Sequence, residues 1–517
     1  MVTSPGYVLA TDIGTTGTKT ILCGLDGTVI RKALIEYPLH APTPDTAEQD
    51  PDEIWQAVLK TTWQVIQQSG VAPPQILCWS FSAAMHSVIG MDRSGQRLTR
   101  SITWADNRSA AWADWIKREY GLDIYRRTGT PIHPMSPLVK LVWLRHEQPD
   151  LFRQVDKWIS IKEYVFYQLF QQYVIDHSMA SATGLLNLVQ LNWDPIVLEI
   201  AGIQPDRLST LVPTTHILQS MSGKWAEVMG IPPDLPVVIG ATDGVLSNLG
   251  LGAIQPGVVA TTIGTSGAVR AVVAHPVTDP QARLFCYALT ENHWVVGGAV
   301  NNGGIALRWV RDQLADAEVL TAKQLGIDPY DILMRMAETI PVGSEGLIFH
   351  PYLLGERSPL WDANARGSFF GLTLNHTKAH LVRAALEGIL FNLRMVLQAL
   401  QDFTQPSIRI QATGGFARAA LWRQMMADIF HQEITIPEQH ESSCLGAAIL
   451  GLYALNAIDS IERVTEMIGE THRHQPIAAN AAVYEQIFPV YVKVLEAIRC
   501  QYGLMADLRT QLGERSK

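Results

Sequence analysis

The stretch TDIGTTGTKT, residues 11–20, combines glycines and threonine hydroxyls with one aspartate and one lysine. Glycines let a backbone approach phosphate oxygens, and hydroxyls donate hydrogen bonds to them. Lys19 would neutralise phosphate charge, and Asp12 could hold a hydrated Mg2+. The stretch fits neither the P-loop pattern G-x-x-x-x-G-K-[ST] nor the dinucleotide pattern G-x-G-x-x-G. A different architecture must position it for phosphate, or it is an ordinary hairpin turn.

A second copy of this stretch lies in the other half of the chain. VLATDIGTTGTKTIL (8–22) aligns without gaps on VVATTIGTSGAVRAV (258–272), with seven identical positions. In each copy a β-branched run enters a short Gly/Thr turn and leaves into a second run, which is typical of a β-hairpin. The first copy carries Asp12 and Lys19 where the second carries Thr262 and Val269. Because a structural duplication does not require this asymmetry, the pair favours phosphate binding over two ordinary turns.

The length and composition indicate a globular protein of more than one domain. A chain of 517 residues, 47% of them hydrophobic and 17% charged, is too long for one hydrophobic core. The two hairpins each stand near the start of about half of the chain. We therefore predict two related α/β domains that face each other, residues 1–248 and 249–517, with the boundary near the Gly-rich segment 240–257.

The charge and cysteine content exclude several classes of protein. A net charge of -9 without basic runs argues against a nucleic-acid partner, so small molecules are expected instead. The five cysteines lie far apart and suit neither a zinc site nor a disulfide framework. The N-terminal residues lack the pattern of a signal peptide, and no uninterrupted apolar stretch of about 18 residues occurs. We expect a cytoplasmic protein with no membrane partner.

A carboxylate suited to catalysis follows an apolar run. PVVIGATDG leads from a predicted strand at 236–239 into a turn that contains Asp243. Ligands of open α/β sheets gather at the carboxyl ends of strands. Transfer of a phosphoryl group to a hydroxyl needs a carboxylate that accepts the hydroxyl proton, and Asp243 is our candidate. The alternative is an aspartate that only forms a turn or caps a helix.

Two segments carry side chains that could bind a polyol. SAAMHS places Met85 and His86 after an apolar run, and ITWADNRS offers Trp104, Asp106 and Arg108. Buried sugar hydroxyls must each be paired, which needs donors, acceptors and a stacking ring close together. A lone histidine near a strand is more often structural, so this alternative stays open for His86.

Taken together, these segments resemble the FGGY family of carbohydrate kinases along nearly the whole chain. GSFFGLTLNHTKAHLVRAALEG (367–388) fits the C-terminal pattern of that family. MSPLVKLVWLRHE (135–147) fits its more N-terminal pattern except at His146. The resemblance implies an α/β fold of two duplicated actin-like ATPase (ribonuclease H-like) domains with a nucleotide and sugar cleft between them.

The resemblance also implies roles for individual residues. It assigns catalysis to Asp243 and sugar contacts to Met85 and His86, and it makes the two hairpins a clamp on the phosphates of ATP. RIQATGGFARAALWRQMMADIF (409–430) reads as a strand, a Gly-Gly turn and a helix, which the resemblance makes the adenosine pocket. The nucleotide-binding residues expected in this way are Thr15, Thr16, Lys19, Gly264, Thr265, Gly304, Gly414 and Gly415, with Asp12 on Mg2+.

The substrate is expected from the form of the sugar segments. SAAMHS, ITWADNRS and FHPYLLGERSPLWD look most like the gluconokinase branch, which implies phosphorylation of D-gluconate to 6-phosphogluconate with ATP and Mg2+. Arg108 is one candidate cation for the gluconate carboxylate. A xylulokinase or another pentulose or polyol kinase is the alternative within the family. An actin- or Hsp70-like ATPase with no sugar substrate is the alternative from another class. A homodimer is left open.

Overall fold

The computed structural model describes residues 6–406, 409–437 and 441–515. It contains two compact units. The first comprises residues 1–255, 272–296 and 441–469, and the second comprises 256–271, 297–440 and 470–517. Segments 272–296 and 441–469 thus pack with the first unit although they follow residue 248. The boundary expected at that residue stays a prediction of domain organisation.

The strands, numbered in chain order, are β1 (Tyr7–Ile13), β2 (Gly17–Gly24), β3 (Val29–Glu36), β4 (Glu48–Gln49), β5 (Ile76–Ala83), β6 (Ile89–Met91), β7 (Ser101–Ile102), β8 (Lys157–Ile159), β9 (Val174–Asp176), β10 (Leu186–Asn187), β11 (Asn192–Trp193), β12 (Thr210–Val212), β13 (Ile217–Leu218), β14 (Val237–Thr242), β15 (Val258–Ile263), β16 (Gly267–Val273), β17 (Phe285–Thr290), β18 (His293–Val300), β19 (Ile348–His350), β20 (Ser368–Phe370), β21 (Arg409–Thr413), β22 (Ile434–Pro437) and β23 (Glu470–His474).

The helices are α1 (Pro51–Ser69), α2 (Ala110–Tyr120), α3 (Asp123–Thr128), α4 (Pro137–Glu147), α5 (Pro149–Gln154), α6 (Ile161–Phe170), α7 (His177–Ser181), α8 (Pro195–Ala201), α9 (Gly223–Met229), α10 (Asp243–Gly250), α11 (Gly304–Leu314), α12 (Asp316–Leu325), α13 (Pro329–Glu338), α14 (Lys378–Gln401), α15 (Ala420–Phe430), α16 (Ser442–Ala454), α17 (Ala478–Arg499) and α18 (Tyr502–Arg515). No helix among the described residues is both long and apolar enough to span a bilayer.

The main sheet of the first unit has the strand order β13-β14-β5-β1-β2-β3. β1 and β2 pair in antiparallel fashion, which confirms the first hairpin, while β5 runs parallel to both β1 and β14. In this register Ile13 lies beside Ala83, and Ala83 lies beside Thr242. The carboxyl ends of three parallel strands therefore meet at one edge of the sheet.

Helix α1 covers the β2–β3 side of this sheet. Asp50 caps its first turn by accepting a hydrogen bond from the Asp52 amide, and Gly70 ends it with a φ of 71°. Residues with helical spacing, among them Ile54, Val58 and Val65, are buried in the core of the unit. Because this face is fixed by burial, the strands that lead to the sheet edge are held from one side by a continuous apolar layer.

The second unit repeats this topology. The second large sheet has the strand order β17-β18-β16-β15-β21-β22-β23. β15 pairs antiparallel with β16 and parallel with β21, and β22 runs parallel to β21. The succession β16-β15-β21-β22-β23 matches β2-β1-β5-β14-β13 of the first unit in both order and direction. The duplication seen in the two hairpin sequences thus extends to the surrounding sheets.

Helices α10 and α16 of the first unit meet through glycines. A Cβ on Gly446 would lie 2.0 Å from the Leu246 carbonyl oxygen, and one on Gly250 would lie 1.9 Å from the Ser442 carbonyl oxygen. The hydroxyls of Ser247 and Ser442 also form a hydrogen bond of 2.9 Å. Backbone contact this close holds α16 directly against the helix that begins at Asp243.

Replacing Gly446 by alanine tests this contact. Gly446→Ala should lower the free energy of unfolding by roughly 1–3 kcal/mol, because the added methyl group must push α16 away from α10. Gly503→Ala in α18 is the matched control, since a Cβ there would meet no atom within 4 Å. The control should leave stability unchanged or raise it by up to about 1 kcal/mol. Equal urea midpoints for the two variants would contradict the close packing.

Candidate active site

Asp12 lies at the sheet edge near the end of β1. Its carboxylate accepts a hydrogen bond of 2.7 Å from the Ser82 hydroxyl on β5. Burial raises the pKa of Asp12, against the lowering effects of Ser82 and Lys19. A nearby cation would favour the ionised carboxylate. The described residues contain no group of three or more Asp, Glu, His or Cys that could hold a metal. One carboxylate fits Mg2+ that keeps several waters and is bound largely through substrate phosphates.

Lys19 is held by a carboxylate that the sequence analysis did not identify. Its ammonium group lies 2.5 Å from Glu441, which also pairs with Lys32 at 3.0 Å. Burial alone would lower the pKa of Lys19, but the Glu441 carboxylate outweighs burial and the net shift is upward. Lys19 therefore stays protonated at neutral pH. Glu441 stands immediately before α16, and no local sequence pattern links it to the first hairpin.

The turn of the first hairpin is braced by side chains from other segments. Tyr37 donates a hydrogen bond of 2.6 Å to the Gly14 carbonyl, and Gln49 donates one of 2.6 Å to the Thr15 carbonyl. The indole of Trp104 donates to the Thr15 hydroxyl at 2.9 Å. Thr16 is exposed at the tip. The structure thus places Trp104, predicted as a sugar contact, against the predicted phosphate turn.

Met85 and His86 follow the end of β5 at the same sheet edge. His86 is buried and has a φ of 71°, which is unusual for a residue other than glycine. Its ring Nδ1 lies 2.7 Å from the Ala182 carbonyl oxygen. The fully buried Lys140 of α4 donates hydrogen bonds to the carbonyls of His86 (2.8 Å) and Met135 (2.6 Å).

Lys140 was missed because its sequence context reads only as an apolar helix. Burial lowers the pKa of Lys140 to about 7; the Asp106 carboxylate opposes this shift, and the Arg108 charge adds to it. A buried amine with two carbonyl acceptors fixes the path of the backbone at His86 and Met135. The feature of the sequence that could have identified it is a lysine among the apolar residues of the segment that forms α4.

Asp106 and Arg108 form an ion-pair cluster of their own. The buried Asp106 accepts a hydrogen bond of 2.9 Å from the Ala47 amide and one of 3.0 Å from Arg108 Nε. Arg108 also lies 2.5 Å from Glu48 and 4.7 Å from the centre of the Trp143 ring. A substrate carboxylate would therefore compete with two protein carboxylates for this guanidinium.

Asp243 is the first residue of α10, directly after β14. The positive end of the helix dipole favours an anion at this position, and the Gly244 amide donates to the Asp243 carboxylate at 2.7 Å. Two residues before Asp243, the Ala241 carbonyl accepts a hydrogen bond of 3.3 Å from the buried Lys162. Lys162 also donates to the Asp176 carboxylate at 2.7 Å. The strand register brings Asp243 to the edge that also carries Asp12 and the 84–86 segment.

The predicted nucleotide residues of the second unit lie around its hairpin turn. The Gly304 amide donates to the Gly264 carbonyl at 2.7 Å. Gly414, with a φ of 109°, passes so close that a Cβ would lie 2.2 Å from the Ile263 carbonyl oxygen. Gly415 is exposed, and a Cβ there would meet no atom within 4 Å. Gly304 and Gly414 thus approach the hairpin turn at backbone distance, whereas the backbone at Gly415 is open.

Replacing Lys140 by methionine tests its role in this framework. Lys140→Met leaves two carbonyls without their donor, which should lower the free energy of unfolding by roughly 1–3 kcal/mol after the gain from removing a buried charge. Lys32→Met is the control, because Lys32 is an exposed partner of Glu441 and its loss should cost less than about 1 kcal/mol. Thermal unfolding of both variants measures the difference in stability. A Lys140→Met protein as stable as the control would contradict the role assigned to Lys140.

Comparison with known proteins identifies a family over most of the chain. The N-terminal domain model of the FGGY family of carbohydrate kinases matches residues 7–250, and the C-terminal domain model matches residues 259–455. The chain is 54% identical to the gluconokinase of Bacillus licheniformis, over 98% of this chain and 99% of that protein. It is 30% identical to the xylulose kinase of Staphylococcus epidermidis (strain ATCC 12228 / FDA PCI 1200), over 97% and 98% of the two chains.

Solved structures show the same fold. The gluconate kinase of Lactobacillus acidophilus matches with a TM-score of 0.91 and 38% identity, over 97% of this chain and 100% of that one. The xylulose kinase of the same organism matches with a TM-score of 0.91 and 37% identity, over the same shares. These matches confirm the expected α/β fold of two actin-like ATPase domains. The chain belongs to the FGGY family of carbohydrate kinases.

Proposed function

We propose that the chain is a gluconokinase, which transfers the γ-phosphoryl group of ATP to a hydroxyl of D-gluconate and releases 6-phosphogluconate. The observation that carries this proposal is the 54% identity to gluconokinases of two Bacillus species, against 37% or less to the xylulose kinases compared. The fold does not choose between the two substrates, because gluconate kinase and xylulose kinase structures match with equal TM-scores.

Asp243 is proposed as the general base. Its position at the start of α10 keeps a carboxylate at the edge of the sheet, where a substrate hydroxyl would lose its proton as the phosphoryl group arrives. Asp12 stands two strands away on β1, bonded to Ser82. Two carboxylates at one edge but on different strands support separate roles, with Asp243 on the hydroxyl and Asp12 on the metal.

The nucleotide is proposed to bind through both hairpins. In the first unit Thr15, Thr16 and the protonated Lys19 would contact phosphates, and in the second unit the backbone at Gly264 and Thr265 would do so. Gly304, Gly414 and Gly415 have no side chain, so the rest of the nucleotide could approach the backbone at these positions. Mg2+ held by Asp12 would neutralise charge on the phosphates.

The sugar acid is proposed to bind beside Met85 and His86, with contacts from Trp104, Asp106 and Arg108. The backbone at His86 is fixed by Lys140, which supports a rigid binding segment. Arg108 remains the proposed partner of the substrate carboxylate, although Glu48 and Asp106 already contact it. We also propose that the protein acts in the cytoplasm, which is consistent with a small sugar-acid substrate.

Phosphorylation of a panel of substrates tests the proposal. Purified protein with ATP and Mg2+ is offered D-gluconate, D-xylulose, D-ribulose and glycerol, and the phosphorylated product is identified by mass. We expect kcat/KM for gluconate to exceed that for each of the others by at least about tenfold. A preference for xylulose would make the chain a pentulose kinase. ATP hydrolysis without any phosphorylated sugar would end the kinase assignment.

Substitution of Asp243 tests the proposed base. Asp243→Ala should lower kcat by about 10²–10⁴-fold, because the substrate hydroxyl loses its proton acceptor. The dissociation constants for ADP and gluconate, measured by calorimetry, should stay within about threefold of wild type. Asp234→Ala, at an exposed position before β14, is the matched control and should keep full activity. Near-normal turnover by Asp243→Ala would remove this residue from the mechanism.

A further inference from the structure

Glu356 is a fully buried carboxylate in the second unit that accepts hydrogen bonds from four N–H groups. One carboxylate oxygen accepts from the backbone amides of Asn301 (2.5 Å) and Arg357 (2.8 Å). The other accepts from the side-chain amides of Asn302 (3.2 Å) and Asn392 (2.8 Å). A buried carboxylate with this many donors is a rigid junction between segments that are distant in sequence.

The surrounding bonds fix which way each amide points. Asn302 donates to the Gly355 carbonyl at 2.7 Å and accepts from the Leu354 amide at 3.2 Å. Tyr352 donates to the amide oxygen of Asn392 at 3.3 Å. Both side chains therefore present N–H groups to Glu356, and an ionised carboxylate satisfies them best. Burial raises the pKa of Glu356 to about 7, and the hydrogen bonds from Asn301, Asn302 and Arg357 oppose that shift.

The residues that Glu356 holds lead directly to the second hairpin. Asn301 and Asn302 follow the end of β18, and the next residues bond to the turn between β15 and β16. The Gly304 amide donates to the Gly264 carbonyl at 2.7 Å, and the Ile305 amide donates to the Thr265 carbonyl at 3.0 Å. The turn is thus tied to the segment that Glu356 anchors.

Glycine 303 makes this connection stiff. A Cβ at this position would lie 2.4 Å from the Ser266 carbonyl oxygen, so the segment and the turn are in direct backbone contact. A displacement of residues 301–302 would therefore be passed on to the turn rather than absorbed by side chains.

The second hairpin depends on its backbone more than the first one does. Where the first copy has Asp12 and Lys19, the second has Thr262 and Val269. Without charged side chains at these two positions, its contribution to phosphate binding rests more on hydroxyls and on backbone N–H groups held in one geometry. Such groups bind well only when they are oriented before the ligand arrives.

We propose that Glu356 is a positioning residue for the nucleotide, which holds residues 301–304 so that the turn at Gly264 and Thr265 keeps the geometry needed for phosphate. Glu356 itself touches neither substrate. The inference rests on the proposed role of the second hairpin in nucleotide binding.

The chain supplies a matched control in Glu387 of α14. This carboxylate is also buried and accepts from four donors, namely the Gly343 amide (2.9 Å), the Ser344 hydroxyl (2.8 Å), Arg383 (2.9 Å) and Tyr484 (2.9 Å). None of these partners bonds to the hairpin turn. Its neutralisation should therefore reduce stability without acting on the nucleotide.

The experiment compares Glu356→Gln with Glu387→Gln in the full chain. The dissociation constant for ADP is measured by calorimetry without sugar, and KM is measured separately for ATP and for gluconate. Glu356→Gln turns an acceptor into an amide donor that faces other donors. We expect it to weaken ADP binding and to raise KM for ATP about tenfold, with KM for gluconate within about twofold of wild type. Glu387→Gln should lower the melting temperature and leave all three constants unchanged.

Equal ADP affinities for the two glutamine variants, or an equal loss for ATP and gluconate, would overturn the proposal. If Glu356→Gln does not fold, Asn302→Ala removes one donor and its two backbone bonds, and should produce the same selective loss of nucleotide affinity. A wild-type protein that binds ADP but does not phosphorylate gluconate refutes the proposed function alone, because the comparison of ADP affinities still stands. A wild-type protein that binds no nucleotide refutes both.

Discussion

The parallel pairing of β1, β5 and β14 is the constraint on which the site of the first unit depends. Because these strands are in register at Ile13, Ala83 and Thr242, three loops begin at one edge of one sheet. The phosphate turn, the Met85–His86 segment and Asp243 are the residues that follow these three ends. A slip of one residue in any strand would turn its side chains to the opposite face and separate these groups.

Buried polar groups hold in place the segments that the sheet brings close together. Lys140 holds the backbone at His86, and Lys162 pairs with Asp176 beneath the end of β14. Each ammonium group is costly to bury and is stable only because oxygen atoms of the fold receive its N–H donors. The cost is reflected in the lowered pKa values of both lysines. The framework of the site is therefore more rigid than its loop positions suggest.

The two units carry hairpins of one topology with different side chains. The first hairpin carries Asp12 and Lys19, and its lysine is kept charged by Glu441. The second hairpin has no charged residue at these positions and is joined instead to a frame of glycines and to the segment anchored by Glu356. The strand order is the same in both copies, while the proposed phosphate contacts use charge in one copy and backbone geometry in the other.

The sequence by itself determined the local elements and the kind of chemistry. Both hairpins, the strand that ends before Asp243 and the Gly-Gly turn at Gly414 follow from β-branched runs, glycines and short-range periodicity, which act within a few residues. The charge difference between the two copies was also visible without coordinates. Only the tertiary structure decided which residues distant in the chain are partners. Examples are Glu441 with Lys19, Glu48 with Arg108 and Lys140 with His86. These pairings depend on which strands and helices pack together, and packing is set by burial of many apolar groups at once, which no local pattern records.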